Sequence, residues 1–265
     1  MIIGGETLYV VQQGDCLSSI GAKLGVGWGN IAQQNCIDVN ERLQIGEQLM
    51  VNTRRIVPRI VSDGIVINIP EGMLYFFKHG NLTALPVGPG KSDKKWHTPV
   101  GKFKITDKAK DPTWRVPVSI QEEMRMNGET VEKIREPGPN NPLGRYALRT
   151  SLAEILIHET IWPTTVHQFR SHGCIRMLPE HIEKLFALVD IGTAGHIIYE
   201  PVKVAYNGEG RVFLEVHRDI YKMVKPLDEE VKKRIEKHNL SDKVDWEKIN
   251  TIVNEKSGIA EDITL

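Results

Sequence analysis

Short runs of β-branched and aromatic residues, separated by turns containing glycine and proline, recur through the middle of the chain. One such turn is flanked by Ile65-Val66-Ile67-Asn68-Ile69 and Leu74-Tyr75-Phe76-Phe77, which predicts a β-hairpin. The alternation of polar and apolar residues that half-buried strands show is found in Lys102-Phe103-Lys104-Ile105 and Arg145-Tyr146-Ala147-Leu148. Many short strands with frequent turns favour a sandwich or a barrel. We therefore predict a mainly β fold.

A helix and a charged tail follow these strands. The helix is predicted to begin at Pro179, and its apolar residues recur at the spacing of one helical face, which should turn toward the core: Ile182, Leu185, Phe186 and Val189. A closing strand is predicted at residues 196–199. Residues 202–265 carry one apolar run and then charged, helix-like stretches with too little apolar surface to fold alone. We expect this C-terminal α/β extension to pack against the preceding domain.

The first part of the chain, residues 7–52, has the pattern of a separate small α+β module. A strand-like run beginning at Thr7 precedes two short helical stretches, which end near Gly25 and Asn35, and a second strand-like run begins at Gln48. The predicted order is strand, helix, helix, strand (βααβ). Residues 53–63 contain several arginines and a proline, and we predict that they form a short linker.

The composition is that of an ordinary globular chain with balanced charge. Its 265 residues suffice for one large domain or two modest ones. Lysine plus arginine equals aspartate plus glutamate at 34 each, so no net field favours nucleic acid or an anionic membrane. No apolar run approaches the ~20 residues that a membrane helix needs, and residues 1–5 lack the features of a signal peptide.

Cys174 is the residue that most strongly suggests chemistry. An isolated thiol has a pKa of about 8.5, so little of it is the reactive thiolate near neutrality unless a base lies within hydrogen-bond reach. Here Gly173 precedes the cysteine and would let a substrate approach the backbone, while His158 and His172 lie nearby in sequence. A cysteine paired with a histidine points to acyl transfer through a thioester.

These residues resemble the signature of the YkuD-type L,D-transpeptidases of bacterial peptidoglycan. In that family a histidine and a spacer precede a run that reads here Ser171-His172-Gly173-Cys174-Ile175-Arg176. Two further segments are similar to the family's TPxGxF and NPLG segments, namely Thr98-Pro99-Val100-Gly101-Lys102-Phe103 and Asn141-Pro142-Leu143-Gly144. The resemblance covers residues 64–201 and implies a β-sandwich catalytic domain with a helix packed on it. It also implies that residues 111–141, where the strand pattern stops, overhang the cleft as a lid.

Within that lid, Ser119-Ile120-Gln121-Glu122 has the pattern of a capping box, which predicts a short helix ending near Asn127-Gly128.

The resemblance implies roles for individual residues. Cys174 would be the nucleophile, and His158 the general base and then the general acid, with His172 orienting groups in the pocket. The backbone N–H groups of Gly173 and Cys174 would form the oxyanion hole. Binding of the substrate is expected from three side chains: Arg176, Ser171 and Thr160. In the family a backbone carbonyl just after the histidine holds its ring, and the usual small residue there is Glu159 in this chain. No cofactor or metal is implied.

Residues 7–52 resemble the LysM module, which binds glycans containing N-acetylglucosamine. The matching positions include Tyr9, Val11, Gly14, Asp15, Leu17, Ile20, Asn35, Leu43, Gly46 and Leu49. Glycan binding is expected from Gly14, Asp15 and Asn35. The module departs from the family at Cys16 and Cys36, which would lie at adjacent ends of the two helices. They are interpreted either as a disulfide or as two small buried thiols.

By resemblance, the substrate is a peptidoglycan tetrapeptide stem, and the terminal D-Ala leaves when Cys174 attacks. The acceptor amine would come from another stem, giving a 3→3 cross-link, or from the lysine of an envelope lipoprotein. Glycan strands would be the partner of the LysM-like module, with no nucleic acid and no membrane insertion. The tail resembles the C-terminal extension of periplasmic transpeptidases of Gram-negative bacteria. We expect a periplasmic location in the cell envelope, with the export signal removed or not included in this chain.

Three alternatives stay open at the level of sequence. With water as the acceptor, the enzyme would be an L,D-carboxypeptidase. A zinc hydrolase would use ligands from His158, His167, His172 and Cys174, although their spacing fits no metal motif. A non-catalytic scaffold that binds peptidoglycan would rely on the LysM-like module alone.

Overall fold

The computed structural model describes residues 1–39 and 41–265. Its strands are β1 Ile2–Ile3, β2 Glu6–Val10, β3 Gln48–Asn52, β4 Arg55–Ile56, β5 Gly64–Asn68, β6 Met73–Lys78, β7 Asn81–Pro86, β8 Gly101–Lys110, β9 Trp114–Arg115, β10 Ile134–Arg135, β11 Tyr146–Thr150, β12 Leu156–Glu159, β13 Ile175–Met177, β14 Ala194–Ile198, β15 Val202–Tyr206, β16 Val212–Val216 and β17 Glu261–Asp262. Its α-helices are α1 Leu17–Leu24, α2 Trp28–Gln34, α3 Val118–Met126, α4 Pro179–Leu188, α5 Leu227–Lys237 and α6 Trp246–Glu255.

The N-terminal module has the predicted βααβ order. Strands β2 and β3 pair antiparallel, and α1 and α2 pack on them around a small apolar core that includes Ile20, Ile31 and Val51. Helix α1 ends at Gly25, whose φ of 66° is the left-handed conformation that glycine adopts most readily. Neither interpretation of the cysteines holds, because Cys16 and Cys36 are both free and both exposed.

The mainly β fold class is confirmed, and the predicted hairpin is the antiparallel pair β5–β6. Eight strands form one sheet in the order β13-β12-β11-β8-β14-β5-β6-β7. The sheet curves over its own apolar face, because Leu85 from one edge strand and Ile175 from the other belong to the same buried core. The segment after β7 also reaches β13, where Gly88 pairs with Arg176. This curvature brings the start of β13 into the wall of a cavity.

Helix α4 begins at Pro179, as predicted, and packs on β11 and β12. Ile182 and Leu185 are fully buried in the main core, as is Val189 just beyond the helix, and Phe186 packs against it. The helical spacing of apolar residues therefore identified the buried face correctly.

The segment 111–141 differs from its prediction in two respects. It is not free of strands, because β9 and β10 pair antiparallel within it. Helix α3 begins at Val118 after Pro117, so Ser119 lies inside the helix and does not cap it. The end of α3 at Asn127 is as predicted. Pro117 occupies the N-cap position, and its restricted backbone sets where α3 begins. The capping-box pattern from Ser119 therefore did not determine the start of the helix.

The predicted linker, residues 53–63, is partly a buried strap. Strand β4 pairs with β1, and Ile56 and Val57 are buried. The Arg55 guanidinium donates to the Leu24 and Gly25 carbonyls at 3.0 and 3.1 Å, which joins the strap to the end of α1. Arg55, one of the arginines of the predicted short linker, therefore ties this segment to the N-terminal module.

The C-terminal extension has a core of its own. Helices α5 and α6 pack on the sheet β15-β16-β17, and Val231, Ile235, Ile249 and Ile252 are buried there. The apolar faces of α5 and α6 are covered mainly by the strands of the extension itself. Tyr221 lies in the core of the large sheet and connects the extension to the rest of the chain.

A buried ion cluster fastens the extension to the large sheet. The Lys203 ammonium lies 2.7 Å from a carboxylate oxygen of Glu71 and 2.7 Å from one of Glu215, and it donates to the Ile56 carbonyl at 2.6 Å. Burial is the largest single influence on the pKa of Glu71 and would raise it. The charges of Lys203, His217 and Arg55, together with the hydrogen bond from Lys203, outweigh burial and lower the pKa to about 2.

None of the helices among the described residues has the length and apolarity required to cross a membrane.

Candidate active site

Strands β12 and β13 place His158 and Cys174 on one wall of a cavity. The two strands are parallel, with Ile157 opposite Ile175 and His158 opposite Arg176. Cys174, just before β13, therefore lies beside Leu156, and its side chain shares the sheet face of His158, two positions farther along. Both residues line a cavity of about 940 Å³. The structure thus brings together the two residues on which the predicted chemistry depends.

The ring of His158 is held in the tautomer that a general base requires. Its Nδ1 lies 2.6 Å from the carbonyl oxygen of Glu159, so Nδ1 carries the proton and donates it there. With the proton on Nδ1, the Nε2 atom carries the lone pair through which the ring can accept a proton. Burial lowers the pKa of His158 to about 4 and outweighs the hydrogen bond with the Glu159 carbonyl, which acts to raise it. The ring is therefore neutral near pH 7. The expected backbone carbonyl is therefore present.

The thiol of Cys174 is also neutral in this arrangement. Its Sγ donates to the Glu154 carbonyl at 3.3 Å and accepts from the Leu156 N–H at 3.4 Å. Burial raises the pKa of the thiol, and this outweighs the opposing effects of the Leu156 N–H and Arg176. A cysteine paired with a histidine was expected to be a thiolate kept ready by the imidazole. The structure corrects this expectation, because desolvation favours the uncharged form of both groups.

Alkylation of Cys174 by iodoacetamide should therefore speed up by about tenfold per pH unit through neutrality and keep rising beyond pH 9. A raised thiol pKa means that the reactive thiolate gains population only in alkaline solution, and a histidine of pKa about 4 carries no charge at pH 5–8 to stabilise it. Peptide mass spectrometry measures the rate, with exposed Cys16 and Cys36 as internal comparisons. A rate plateau for Cys174 between pH 5 and 8 would show a preformed ion pair and contradict this assignment.

Ser171 clamps the loop that carries the cysteine. Its buried hydroxyl accepts from the Gly173 N–H at 3.1 Å and donates to the Cys174 carbonyl at 2.5 Å. This changes the expected oxyanion hole, because the N–H of Gly173 is already engaged. The N–H of Cys174 has no hydrogen-bond partner among the described residues and remains available. Gly173 shapes the loop through its φ of 109°, a backbone conformation that residues other than glycine rarely adopt.

The segment around Thr98 supports the same loop from behind. The buried Thr98 hydroxyl donates to the Gly173 carbonyl at 2.8 Å and accepts from the Gly90 N–H at 2.9 Å. Tyr221 in turn donates to the Gly90 carbonyl at 2.8 Å and accepts from the Thr98 N–H at 3.2 Å. The TPxGxF-like segment therefore positions the nucleophile loop. Sequence reasoning gave no role to Tyr221, which lies in the C-terminal extension and far from the loop in sequence.

His172 contacts the segment 111–141 and lies apart from the nucleophile's own hydrogen bonds. Its Nε2 lies 2.7 Å from a carboxylate oxygen of Glu123 on α3 and 2.9 Å from the Lys91 ammonium. Burial lowers the pKa of His172, and Lys91 lowers it further. With Nε2 engaged in this way, His172 joins the catalytic loop to α3, and His158 is the available base.

Arg176 presents an unneutralised cation to the cavity. Its guanidinium lies over the Trp162 ring at 5.4 Å and contacts the Thr165 hydroxyl at 3.4 Å, and no carboxylate among the described residues pairs with it. Burial lowers its pKa. A partly buried guanidinium without a carboxylate is suited to receive one from a ligand. Thr160, in contrast, is buried outside the cavity lining, and its hydroxyl accepts from the Trp162 N–H at 3.1 Å.

The zinc alternative requires its ligands to converge, and they do not. His172 is engaged with Glu123, while the Nδ1 of His167 lies 3.4 Å from the Gly72 carbonyl in a different cavity. In the described part of the chain, the group of acidic and histidine side chains close enough to share a metal is Glu71, Glu215 and His217. The Lys203 ammonium already occupies the space between those two carboxylates.

Comparison with known families decides the assignment. The family model of the L,D-transpeptidase catalytic domain, YkuD, matches residues 62–204, and that of the LysM domain matches residues 9–52. The chain belongs to the L,D-transpeptidase family.

Similar proteins carry the same family name. The chain is 29% identical over 275 residues to the probable L,D-transpeptidase ErfK/SrfK of Salmonella typhimurium, and the alignment covers 99% of this chain and 88% of that protein. It is 31% identical over 224 residues to the probable L,D-transpeptidase YbiS of Escherichia coli, and the alignment covers 83% of this chain and 72% of that protein. Among solved structures, L,D-transpeptidase 3 of Mycobacterium tuberculosis is 15% identical with a TM-score of 0.41, covering 59% of this chain and 76% of that one.

The unusual Glu159 of this L,D-transpeptidase has a structural partner. Its side chain is directed at the turn after Asn141 and accepts from the Arg145 N–H at 3.1 Å. A Cβ built on Gly144 would lie 2.5 Å from the Glu159 Cβ, and Gly144 has a φ of 63°. Gly144, the last residue of the NPLG-like segment, therefore leaves the space into which the Glu159 side chain packs. The same turn carries the Pro142 carbonyl, which favours the charged form of His158.

Replacing Gly144 by alanine should cost about 2–5 kcal/mol of unfolding free energy and also lower activity, because it combines a left-handed conformation with a clash against Glu159. Gly128→Ala is the matched control, since Gly128 has a φ of 71° and nothing within 4 Å of its added Cβ. That variant should lose only about 1–2 kcal/mol. Chemical denaturation measures both. Equal losses in the two variants would show that Glu159 does not constrain the turn.

The residues expected to bind glycan are not gathered in one place. Asp15 lines a groove of about 610 Å³ together with Trp28 and Arg42, but its carboxylate already accepts from Lys23, at 2.6 Å, and from Tyr9. Asn35 lies elsewhere, and its side chain bonds the backbone N–H and carbonyl of Met50, each at 2.8 Å. Asn35 therefore holds α2 to β3, and Gly14, with a φ of 84°, forms a turn.

Proposed function

We propose that this protein is a peptidoglycan L,D-transpeptidase that forms a thioester between Cys174 and a tetrapeptide stem. It releases D-Ala and passes the acyl group to an amine, giving a 3→3 cross-link or a protein anchored to the wall. The observation that supports this most directly is the arrangement of the site. A neutral His158 with its lone pair on Nε2, the Cys174 thiol and the Arg176 guanidinium line one cavity, and no carboxylate among the described residues pairs with that guanidinium.

In the first half-reaction, the thiol proton turns from the Glu154 carbonyl and passes to Nε2 of His158 as sulfur attacks the carbonyl carbon of the third stem residue. The S–C bond forms, and the oxyanion accepts a hydrogen bond from the Cys174 N–H. His158, now charged, returns the proton to the nitrogen of D-Ala as the C–N bond breaks. The products are the thioester and free D-Ala. Because both groups start neutral, the transfer creates charge only when substrate is in place.

In the second half-reaction, His158 takes a proton from the acceptor amine as its nitrogen attacks the thioester, and the thiolate leaves and is reprotonated. An amine of a second stem gives the cross-link, and the lysine of an envelope lipoprotein gives an anchored protein. Water gives the alternative activity, an L,D-carboxypeptidase. Both the donor stem and the acceptor would reach Cys174 through the cavity of about 940 Å³ that it lines.

Arg176 binds a carboxylate of the donor stem in this proposal. Its charge partly opposes the effect of burial on the pKa of the Cys174 thiol, so it favours the charge that develops on sulfur during attack. Thr165 and Trp162 orient its planar group. We further infer a periplasmic location in the cell envelope, supported by the family assignment, the LysM domain and the peptidoglycan substrate.

The function is tested by giving the purified protein a tetrapeptide stem together with three acceptors: a second stem, a lysine-containing peptide and water alone. Mass spectrometry of the products is expected to show D-Ala release and an amide joined to one of the amines. Release of D-Ala with tripeptide as the sole product, at every amine concentration, would favour the carboxypeptidase. Binding to sacculi without any D-Ala release would favour the scaffold.

A further inference from the structure

Four cavities connect the N-terminal module to Cys174 through shared walls. The groove of the module, which contains Asp15, shares Ser18 and Trp28 with a cavity of about 440 Å³ at the junction of module, sheet and extension. That junction cavity shares Gln168 and Phe169 with a shallow pocket beside it. The shallow pocket in turn shares Trp162 and Arg176 with the cavity of Cys174. Cavities that share lining residues adjoin one another, so the four form a row between the two ends, and this row is called the depression below.

An aromatic side chain stands at each of the three junctions: Trp28, Phe169 and Trp162. Trp28 is 43% exposed and Trp162 is 46% exposed, which is unusual for the largest side chain. Large aromatic groups left open to solvent along a groove are typical of binding surfaces, because a flat apolar face gains from being covered while its polar edge stays hydrated. The apolar faces of sugar rings are suitable partners for such groups.

The end of this depression nearest Cys174 carries positive charge. Arg170 and Arg176 line the shallow pocket, and neither has a carboxylate partner among the described residues. The Nε of Arg170 donates to the Gln168 side chain at 2.7 Å, which holds it along the pocket. Free guanidinium groups next to aromatic surface suit a ligand that has both sugar rings and carboxylates.

We propose that the depression formed by Trp28, Gln168, Phe169, Arg170 and Trp162, here called the connecting groove, binds the glycan strand of the donor itself. This rests on the proposed function and extends it. One polysaccharide strand occupies the module groove and the connecting groove together and delivers the stem that it carries to Cys174. The substrate class is therefore a polymeric strand of amino sugars bearing anionic peptides, and a free stem uses only the last part of the site.

The test compares a free tetrapeptide stem with purified glycan strands of increasing length that bear tetrapeptide stems, with D-Ala release as the readout. Linking two subsites raises the effective concentration of the second, so kcat/KM should rise at least tenfold once a strand spans both ends. Trp28→Ala should abolish that rise while changing the rate on the free stem less than twofold. Trp246→Ala is the matched control, since Trp246 is 38% exposed and also begins a helix; this variant should keep the rise.

Two results would overturn the proposal: no dependence on strand length in the unaltered protein, or a full length-dependent rise in Trp28→Ala. A separate measurement separates this proposal from the proposed function. In oxidative footprinting, long strands should protect Trp28 and Trp162 together, and short fragments should not protect both. If D-Ala is never released but both tryptophans are protected, the connecting groove stands and the catalytic proposal fails. If D-Ala is released and long strands leave Trp28 unprotected, the connecting groove fails alone.

Discussion

Replacing Cys174 by alanine should lower kcat/KM for D-Ala release by at least about 10⁴-fold and abolish cross-link formation. No other thiol lies in the cavity among the described residues, and Ser171 is committed to the loop through both of its hydrogen bonds. The loop should keep its shape in the variant, because Thr98 and Ser171 hold the backbone around the cysteine and do not contact its sulfur. Product analysis by mass spectrometry measures the loss.

The control for this variant is Cys16→Ser combined with Cys36→Ser, which removes the two exposed thiols and should leave the activity within twofold. Binding of Cys174→Ala to sacculi should also persist, because the LysM domain is untouched. If Cys174→Ala keeps more than a few per cent of the activity, the cysteine is not the nucleophile. If the double serine variant loses activity instead, the chemistry depends on the N-terminal module.

Replacing Lys203 by methionine should lower the free energy of unfolding by about 3–5 kcal/mol. The ammonium is 3% exposed and lies between the carboxylates of Glu71 and Glu215, so its removal leaves two buried negative charges side by side. It also removes the donor to the Ile56 carbonyl that joins the strap to the extension. Chemical denaturation measures the loss, and the extension should be the first part to lose protection in hydrogen exchange.

The control for the lysine variant adds Glu71→Gln and Glu215→Gln, which remove the two charges while keeping similar shapes. The triple variant should recover at least half of the lost stability, since the cost of Lys203→Met comes mainly from uncompensated charge. A single variant as stable as the unaltered protein would mean that the cluster does not hold the extension in place. A triple variant less stable than the single one would assign the effect to lost packing.

The parts of this fold that could be predicted depend on local patterns. Alternation identified the strands around Phe103 and Tyr146, and the helical spacing from Ile182 to Val189 identified the buried face of α4. The closure of the sheet could not be predicted, because the pairing of Gly88 with Arg176 joins segments far apart in sequence. The strap around Ile56 was missed for the same reason, since its apolar residues are covered by the extension and by β1.

The candidate site shows the same division. Motifs identified Cys174, His158 and Arg176, because these residues lie close together in the sequence and their chemistry is distinctive. Motifs gave no sign of the Glu123 contact to His172 or of the support from Tyr221, each of which lies on a distant element. The protonation of the pair was also mispredicted. Local sequence shows which groups can exchange a proton, whereas the burial that sets their pKa values comes from the whole fold.

Capture of the acyl-enzyme is the measurement that tests the central claim most directly. The protein is mixed with a tetrapeptide stem in the absence of amine, quenched in acid and digested for peptide mass spectrometry. The account predicts a mass increase equal to the stem minus alanine on the peptide that contains Cys174, removable by hydroxylamine as a thioester is. A covalent adduct on any other residue, or turnover of the stem with no adduct on Cys174 at any time point, would contradict it.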